Sequence, residues 1–596
     1  MMDELMNPTG VSTTLHSRSV DEIIGGLTTA QKVGLLFQPM VMVDADLDLD
    51  APSPLGGDTL RHLIVDKGIR YFCLASMPEP AKAAPVLQVL QDLATSTGSR
   101  LPIIFSSDPR HSFIQNAGAS HRASGVSQWP EPIGLGALRD PEAVRTFADI
   151  VRQDYLAMGV RMALHPQVDL ATEPRWARQA QSFGAEPQLT ATLLRAYLEG
   201  LQGTTLGPTS IAATTKHFPG GGPQLDGEDP HFPYGREQVY PGGRLRDHLL
   251  PFKAAIDAGT AAIMPYYGMP VGLTLNGEPV EEVGFAFNRQ ILTQLLREEL
   301  GFDGIILSDF GLITDVTVFG KPFPARAWGV EHLNRRQRVM KLLKAGVDQF
   351  GGESDTELLI GLLESGEISE DRLDQSARRT VTLMHDLGIL TPRASETNVE
   401  IGTAEHIHLG RVTQSESLTV LMNQNKEGAQ VLPVTGPQKA YLVDIETSVL
   451  PGGWTPSSLE ESTVAIVRAH APYEKRDTYF LENGMEQGSL DFSEEYVEQL
   501  RTIARQVPLV FVVTLTRPAI LTPIAAFASA IVADYGASDS AVLDVLTGRV
   551  RPRGKLPFEL PRTMEAVFAS RPDVPSDTEE PLFPLGWGLD VDEARP

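Results

Sequence analysis

The chain has 596 residues, 42% apolar and 21% charged, a soluble globular composition with material for two or more sizeable cores. Acidic residues outnumber basic ones 76 to 50, a formal net charge of −26, which argues against polyanion partners such as DNA or RNA. One cysteine, Cys73, excludes an intrachain disulfide framework and a thiolate metal cluster; within Tyr71-Phe72-Cys73-Leu74 it reads as core.

The opening MMDELMNPTG carries acids where a secretory leader has a basic stretch and an apolar run. No window reaches the roughly 18 uncharged apolar residues of a membrane span. The expected location is therefore the cytoplasm. Eight apolar, β-branched runs follow: GLLFQPMV (34–41), GIRYFCLA (68–75), LPIIFSSD (101–108), GVRMALHPQVD (159–169), IAATTKHF (211–218), AAIMPYY (261–267), FDGIILSDF (302–310) and AGVDQFG (345–351). Several are nearly continuous, as parallel strands covered on both faces are. Helix-like patterns lie between them at 142–159, 249–259 and 288–301. Eight strand–helix units predict an α/β fold with a (β/α)8 TIM-like barrel; an open doubly wound sheet is the alternative.

A helical stretch, 370–390, closes this region, and the polar segment 391–406 reads as a linker. Five more apolar runs (418–424, 439–446, 463–470, 508–515, 530–536) and a helical pattern at 538–550 predict a second α/β sandwich. The expected domains are thus 1–390, a linker at 391–406, and 407–596. The irregular stretch 219–243 is too long for an ordinary connection and is expected to serve a site or to be disordered.

In a barrel the catalytic groups sit at the C-terminal ends of the strands. Asp108, Lys216, His217, Tyr266, Tyr267 and Asp309 end four of the eight runs. An unpaired charge buried there costs several kcal/mol, so the set points to a site. Each residue alone has a plainer reading: Asp309 as a helix cap, Lys216 as an ion-pair partner, His217 as a satisfied core histidine, Asp348 as a structural carboxylate. HExxH, paired-cysteine and EF-hand spacings are absent, and His406 and His408 read as exposed linker residues. PGGGP lacks the lysine and hydroxyl of a phosphate loop, and GxSxG is missing. No metal and no cofactor is expected.

From about residue 25 to 590 the chain resembles glycoside hydrolase family 3. KHFPGGG (216–222) looks like the family's sugar-binding strand end, and GFDGIILSDFG (301–311) like the strand that carries the nucleophile. EPRWARQAQSFGAEP (173–187) resembles its Pro-Arg-Trp-Gly-Arg segment, with Ala177 in place of glycine. GKLPFELP (554–561) and LFPLGWGL (582–589) resemble the closing segments of the second domain. The resemblance implies Asp309 as nucleophile and Asp108, Arg175, Lys216, His217 and Tyr266 as sugar contacts. It implies an acid/base in the second domain, where RAHAPYEKRD (468–477) nominates Glu474, with Glu482 and Glu486 as neighbours. A branch of the family uses an Asp-x-His element instead, matched here by Asp229-Pro230-His231, although Gly221 stands where that branch has histidine. Trp176, Phe232, Tyr234 and Phe310 are expected as core or as faces for sugar stacking, with Phe232 and Tyr234 the stronger stacking candidates.

The implied activity is that of a retaining exo-acting β-glycosidase releasing a terminal non-reducing β-D-glucosyl residue. β-Xylosidase, β-N-acetylglucosaminidase with the Asp-x-His acid/base, and a non-catalytic carbohydrate-binding protein are the alternatives. Lysine Schiff-base chemistry at Lys216 is a further rival. Retention requires the two catalytic carboxyls about 5–5.5 Å apart, with Lys216 keeping Asp309 ionised and burial raising Glu474. The expected partner is a small carbohydrate, with no nucleic acid and no membrane, in a chain that could form a homodimer.

Overall fold

The structure is a computed structural model and describes residues 18–54, 57–115, 120–121, 123–390, 400–424 and 428–590. The opening decamer, most of the expected linker and the last six residues lie outside it. All eight apolar runs of the first region form strands. They are β1 (Phe37–Gln38) continuing past Pro39 as β2 (Met40–Met42), β3 (Tyr71–Ser76), β4 (Ile104–Ser107), β5 (Met162–Ala163), β6 (Ala212–Phe218), β7 (Ala262–Pro265), β8 (Ile305–Ile306) and β9 (Phe350–Gly351). β2 to β8 form a parallel sheet in chain order. β9 pairs with β1, Phe37 opposite Phe350, and a parallel bridge from Leu307 to Gln349 closes the ring. The result is a (β/α)8-like barrel, and the runs are unbroken because helices cover the outside while side chains fill the inside.

The helices have local causes. Pro141–Met158 starts at Asp140, whose carboxylate accepts from Glu142 N and Ala143 N, with Pro141 in the first turn, and ends at Gly159 in a left-handed conformation. Its buried face, including Phe147, Val151, Tyr155 and Met158, lies in the barrel's apolar core. Cys73 lies in that core too, 1% exposed, and burial raises its thiol pKa. Among the described residues no helix is long and apolar enough to cross a membrane.

The second sheet has six strands: β10 (Thr419–Asn423), β11 (Gln438–Val443), β12 (Trp454–Pro456), β13 (Val464–His470), β14 (Leu509–Thr514) and β15 (Ala530–Asp534), in the order β10-β15-β14-β13-β11-β12. β10 is antiparallel to β15 and the remaining neighbours are parallel. Apolar clusters on both faces make it an α/β sandwich. Two details differ from expectation. The edge strand β12 is too short to stand out as an apolar run. The expected linker also ends early, because Thr403 caps a helix over Ala404–Ser417 by accepting from His406 N. His406 is accordingly half-buried on that helix, while His408 is exposed.

The two domains are fastened at their seam by a buried cation. Arg517, fully buried after β14, donates to Arg175 O of the barrel and to Pro472 O, Gln487 O, Gly488 O and Ser489 O of its own domain, at 2.6–3.1 Å. Desolvation lowers its pKa to about 10. Five carbonyls around one guanidinium fix the loop after β13 against the barrel mouth.

Candidate active site

The strand ends converge as their order requires. Asp108, Lys216, His217, Tyr266 and Asp309 are all less than 10% exposed at the C-terminal mouth of the barrel. Lys216 Nζ donates to Asp108 Oδ1 at 3.0 Å, the pairing with a neighbouring acid that was its plainer reading. His217 Nε2 lies 3.9 Å from Asp309 Oδ2, and the His217 ring packs on Tyr266 at 5.1 Å. Asp309 caps no helix: a turn and the hairpin Val316–Val318/Lys321–Phe323 follow it. Its Oδ1 accepts from Phe310 N at 2.8 Å, while Oδ2 makes no hydrogen bond. Asp348 is structural, fully buried and bonded to Arg297, Ser376, Arg379 and Ile306 N.

Two buried groups set the state of His217. Its Nδ1 faces Asp169 Oδ2 at 2.9 Å and its Nε2 faces Arg178 Nη1 at 3.2 Å. A guanidinium only donates, so Nε2 accepts and Nδ1–H donates to Asp169. The ring is neutral, in keeping with a pKa pushed well below the usual histidine value by burial and by Arg178. Asp169 also accepts from His217 N at 3.3 Å and Gly221 N at 2.5 Å, and burial raises it to about 6. It ends the fourth apolar run, so the strand-end argument that picked out Asp108 and Asp309 applied to it equally.

The arginine segment corrects the expectation. Arg175 turns outward: it is held by both oxygens of Glu173 at 2.8 and 3.1 Å, sits 3.4 Å from Asp226 Oδ1, and stacks on Phe568. Arg178, three residues on, turns inward to His217 and Gln167. Burial works against its charge, but Asp229, Tyr266, Asp309 and Asp169 around it keep its pKa above the usual value. Between them Trp176, fully buried, donates to Tyr266 Oη at 3.2 Å. A second tyrosine, Tyr267, also faces Asp309: its hydroxyl donates to Phe310 O at 2.7 Å, and burial, then Asp309, raises its pKa.

The long stretch 219–243 serves the site. Turns at Leu225–Gly227 and Pro233–Gly235 and a strand pairing of Glu237–Val239 with Met269–Val271 hold it down. It carries Asp229 and His231, both buried. His231 Nδ1 is 2.5 Å from Asp229 Oδ1, and its ring packs on Tyr267 at 4.8 Å. Burial raises Asp229, but His231 and Arg178 outweigh it and hold the carboxyl below its usual value. Phe232 is no sugar platform: it is fully buried between Tyr234 and Tyr479. Tyr234 is 42% exposed, with its hydroxyl donating to Glu482.

Glu474 does not have the environment expected of a proton donor. Its side chain is 53% exposed and paired with Arg476 at 3.1 Å, and that bond, with Ser489 N, lowers its pKa. Glu482 is buried and already accepts from Tyr234, Thr478 N and Tyr479 N; Glu486 accepts from Thr516. Among the described residues no group of three or more histidine, cysteine or acidic side chains could hold a metal.

Comparison with known proteins agrees with this architecture. The Glycosyl hydrolase family 3 N terminal domain matches residues 56–383 and the Glycosyl hydrolase family 3 C-terminal domain matches 455–591. "Probable beta-glucosidase C" of Aspergillus oryzae is 44% identical over 577 residues, covering 96% of this chain and 89% of that protein. The "Periplasmic beta-glucosidase/beta-xylosidase" of Dickeya chrysanthemi is 37% identical over 589 residues, covering 95% and 89%. Among solved structures, the β-glucosidase of Listeria innocua in complex with isofagomine shares the fold with a TM-score of 0.72 at 20% identity, covering 96% of this chain and 82% of that one. The exo-1,3/1,4-β-glucanase of a Pseudoalteromonas species does so at 0.75 and 20%, covering 96% and 73%. With both family domains matched along a barrel and a sandwich, the chain belongs to glycosyl hydrolase family 3 and is a glycoside hydrolase of the two-domain β-glucosidase type.

Proposed function

We propose that this chain is an exo-acting, retaining β-glucosidase that releases a terminal non-reducing β-D-glucosyl residue from oligosaccharides or glycosides. The observation that carries the reading is Asp309. It is a nearly buried carboxylate with one oxygen pinned by a backbone N–H and the other unbonded toward His217, inside a ring of hydroxyl-binding groups. Asp108 with Lys216, neutral His217 and Arg178 present acceptors and donors on several sides. A site built that way selects a sugar ring by its hydroxyls and rejects analogues that lack them.

In the mechanism, Asp309 attacks the anomeric carbon as the glycosidic C–O bond breaks, giving a covalent glycosyl ester. The leaving oxygen takes a proton from Nε2–H of a His231 imidazolium, whose Nδ1–H is held by ionised Asp229. The neutral imidazole then takes a proton from the water that cleaves the ester, which restores both groups. Burial beside Tyr267 and the Asp229 carboxylate support His231 in this role. An exposed Glu474 with a lowered pKa would enter the reaction ionised, the wrong form for an acid. A second reading assigns the acid/base to Glu474; what favours it is position, since Arg476 bonds both Glu474 and Glu228 and so ties Glu474 to the loop that carries Asp229. For the sugar, a xyloside is the second reading, favoured by the similarity to the β-glucosidase/β-xylosidase of Dickeya chrysanthemi.

The test is a panel of aryl β-glucoside, xyloside, galactoside and N-acetylglucosaminide on wild type, Asp309→Asn, His231→Ala and Glu474→Gln. Asp309→Asn should lose turnover on every substrate. His231→Ala should keep activity on activated leaving groups, lose it on poor ones, and be rescued by azide. If Glu474→Gln shows that pattern instead, the acid assignment moves to the second domain.

A further inference from the structure

The segment that lines the catalytic centre has a second face. Trp176 and Arg178 turn in toward Tyr266 and His217, while Arg175 turns out into a separate cavity of about 460 Å³ at the seam of the two domains. Its walls are Arg175, Leu225 and Asp226 of the barrel, Tyr240, and Phe568 and Ser570 from the second domain; none of the groups around Asp309 lines it. The volume lies within the usual range for small-molecule sites.

The lining has a definite chemistry. Phe568 is 65% exposed, an unusual position for a phenyl ring, and lies over the Arg175 guanidinium at 5.2 Å. Arg175 is in turn fixed by both oxygens of Glu173. Asp226, two-thirds exposed, meets Arg175 only loosely at 3.4 Å, which leaves its carboxylate able to accept from a ligand. The cavity therefore offers an aromatic ring for C–H faces, a planar guanidinium to donate and a carboxylate to accept. Glu173 and Asp226 more than balance Arg175, which disfavours an anion such as phosphate.

The floor is rigid. Asp226 has φ +57° and Gly227 φ +71°, and a Cβ on Gly227 would lie 2.5 Å from Arg175 Cβ. A side chain in the left-handed region persists where its surroundings fix it. A site of fixed shape spends less of its binding energy on ordering.

We propose that this seam cavity is a second, non-catalytic saccharide site that takes a neutral gluco-configured disaccharide or longer chain; the choice of gluco configuration rests on the β-glucosidase reading. Cellobiose is titrated by calorimetry into the Asp309→Asn protein, alone and combined with Phe568→Ala or Asp226→Asn, both exposed positions, with melting curves recorded for each. The expected result is two cellobioses per chain, with one event weakened at least tenfold or lost in either combined variant. Phe568→Ala in the wild-type background should hydrolyse an aryl β-glucoside within about twofold of wild type. One or two cellobioses per chain that Phe568→Ala leaves unchanged, or tighter binding of inorganic phosphate that the variants abolish, would overturn the proposal. Failure of the catalytic reading shows separately, as hydrolysis surviving in Asp309→Asn.

Discussion

Replacing Glu131 by glutamine should make the protein more stable in alkali while leaving it nearly unchanged in acid. Glu131 is fully buried at the seam, where its N–H donates to Tyr535 O, its Oε1 accepts from Ile114 N at 2.9 Å, and its Oε2 has no partner. Burial, with Glu486 nearby, pushes its carboxyl from 4.5 to about 8. Between those values the folded chain retains a proton that the unfolded chain has released, so stability falls as pH rises through the interval and the loss is complete above about 8. At about 1.4 kcal/mol per pH unit, the ceiling on that loss is about 5 kcal/mol. Glutamine keeps the acceptor for Ile114 N and cannot ionise. At pH 5 the variant should match wild type within about 1 kcal/mol, and by pH 9 its melting midpoint should lie clearly higher. Urea or thermal midpoints from pH 5 to 9 on both proteins measure the difference and cancel every other titrating group. Two parallel curves across that range would refute the buried, protonated carboxyl.

Three other perturbations probe the same architecture. Arg517→Met strips five buried or half-buried carbonyls of their donor and should cost roughly 3–5 kcal/mol, read as a lower melting midpoint and faster proteolysis within 472–489; an unchanged midpoint would deny the seam role. Gly221→Ala sets a Cβ 2.8 Å from the Tyr266 ring and 3.2 Å from Asp169 Oδ1, so kcat/KM for an aryl glucoside should fall more than tenfold in a chain that still melts cooperatively. Asp169, raised to about 6, holds His217 Nδ1–H most strongly as a carboxylate. Activity should therefore rise with pH through about 6, and Asp169→Asn should remove that acid limb along with most of kcat; a limb identical to wild type would free His217 from Asp169.

The barrel was legible because parallel strands covered on both faces are written as unbroken apolar runs. All eight, down to the two-residue β5 and β8, could be placed from runs such as LPIIFSSD and FDGIILSDF. The polar residues ending those runs marked the mouth for the same reason: Asp108, Lys216, His217 and Asp309 have no business there unless something binds. What sequence could not supply is direction. Arg175 and Arg178 share one motif, and only the turn between them decides that the first faces Phe568 and the second His217. Phe232 looked like a platform on a polar loop, yet that loop folds back and buries it against Tyr479 of the other domain. The state of Glu474 depends on Arg476 and its long-range bridge to Glu228, which no local pattern encodes. Helix Ala404–Ser417 was hidden for a different reason: its polar composition merges with the segment before it, and only Thr403 marks its start.

The most direct test of the catalytic account is covalent trapping with a fluorinated β-glucoside bearing an activated leaving group, followed by peptide mapping. The expected result is one glucosyl adduct per chain, on the peptide containing Asp309, forming as activity is lost and prevented by Asp309→Asn. Inactivation with the adduct on any other residue, or turnover of the probe with no adduct accumulating, would contradict it.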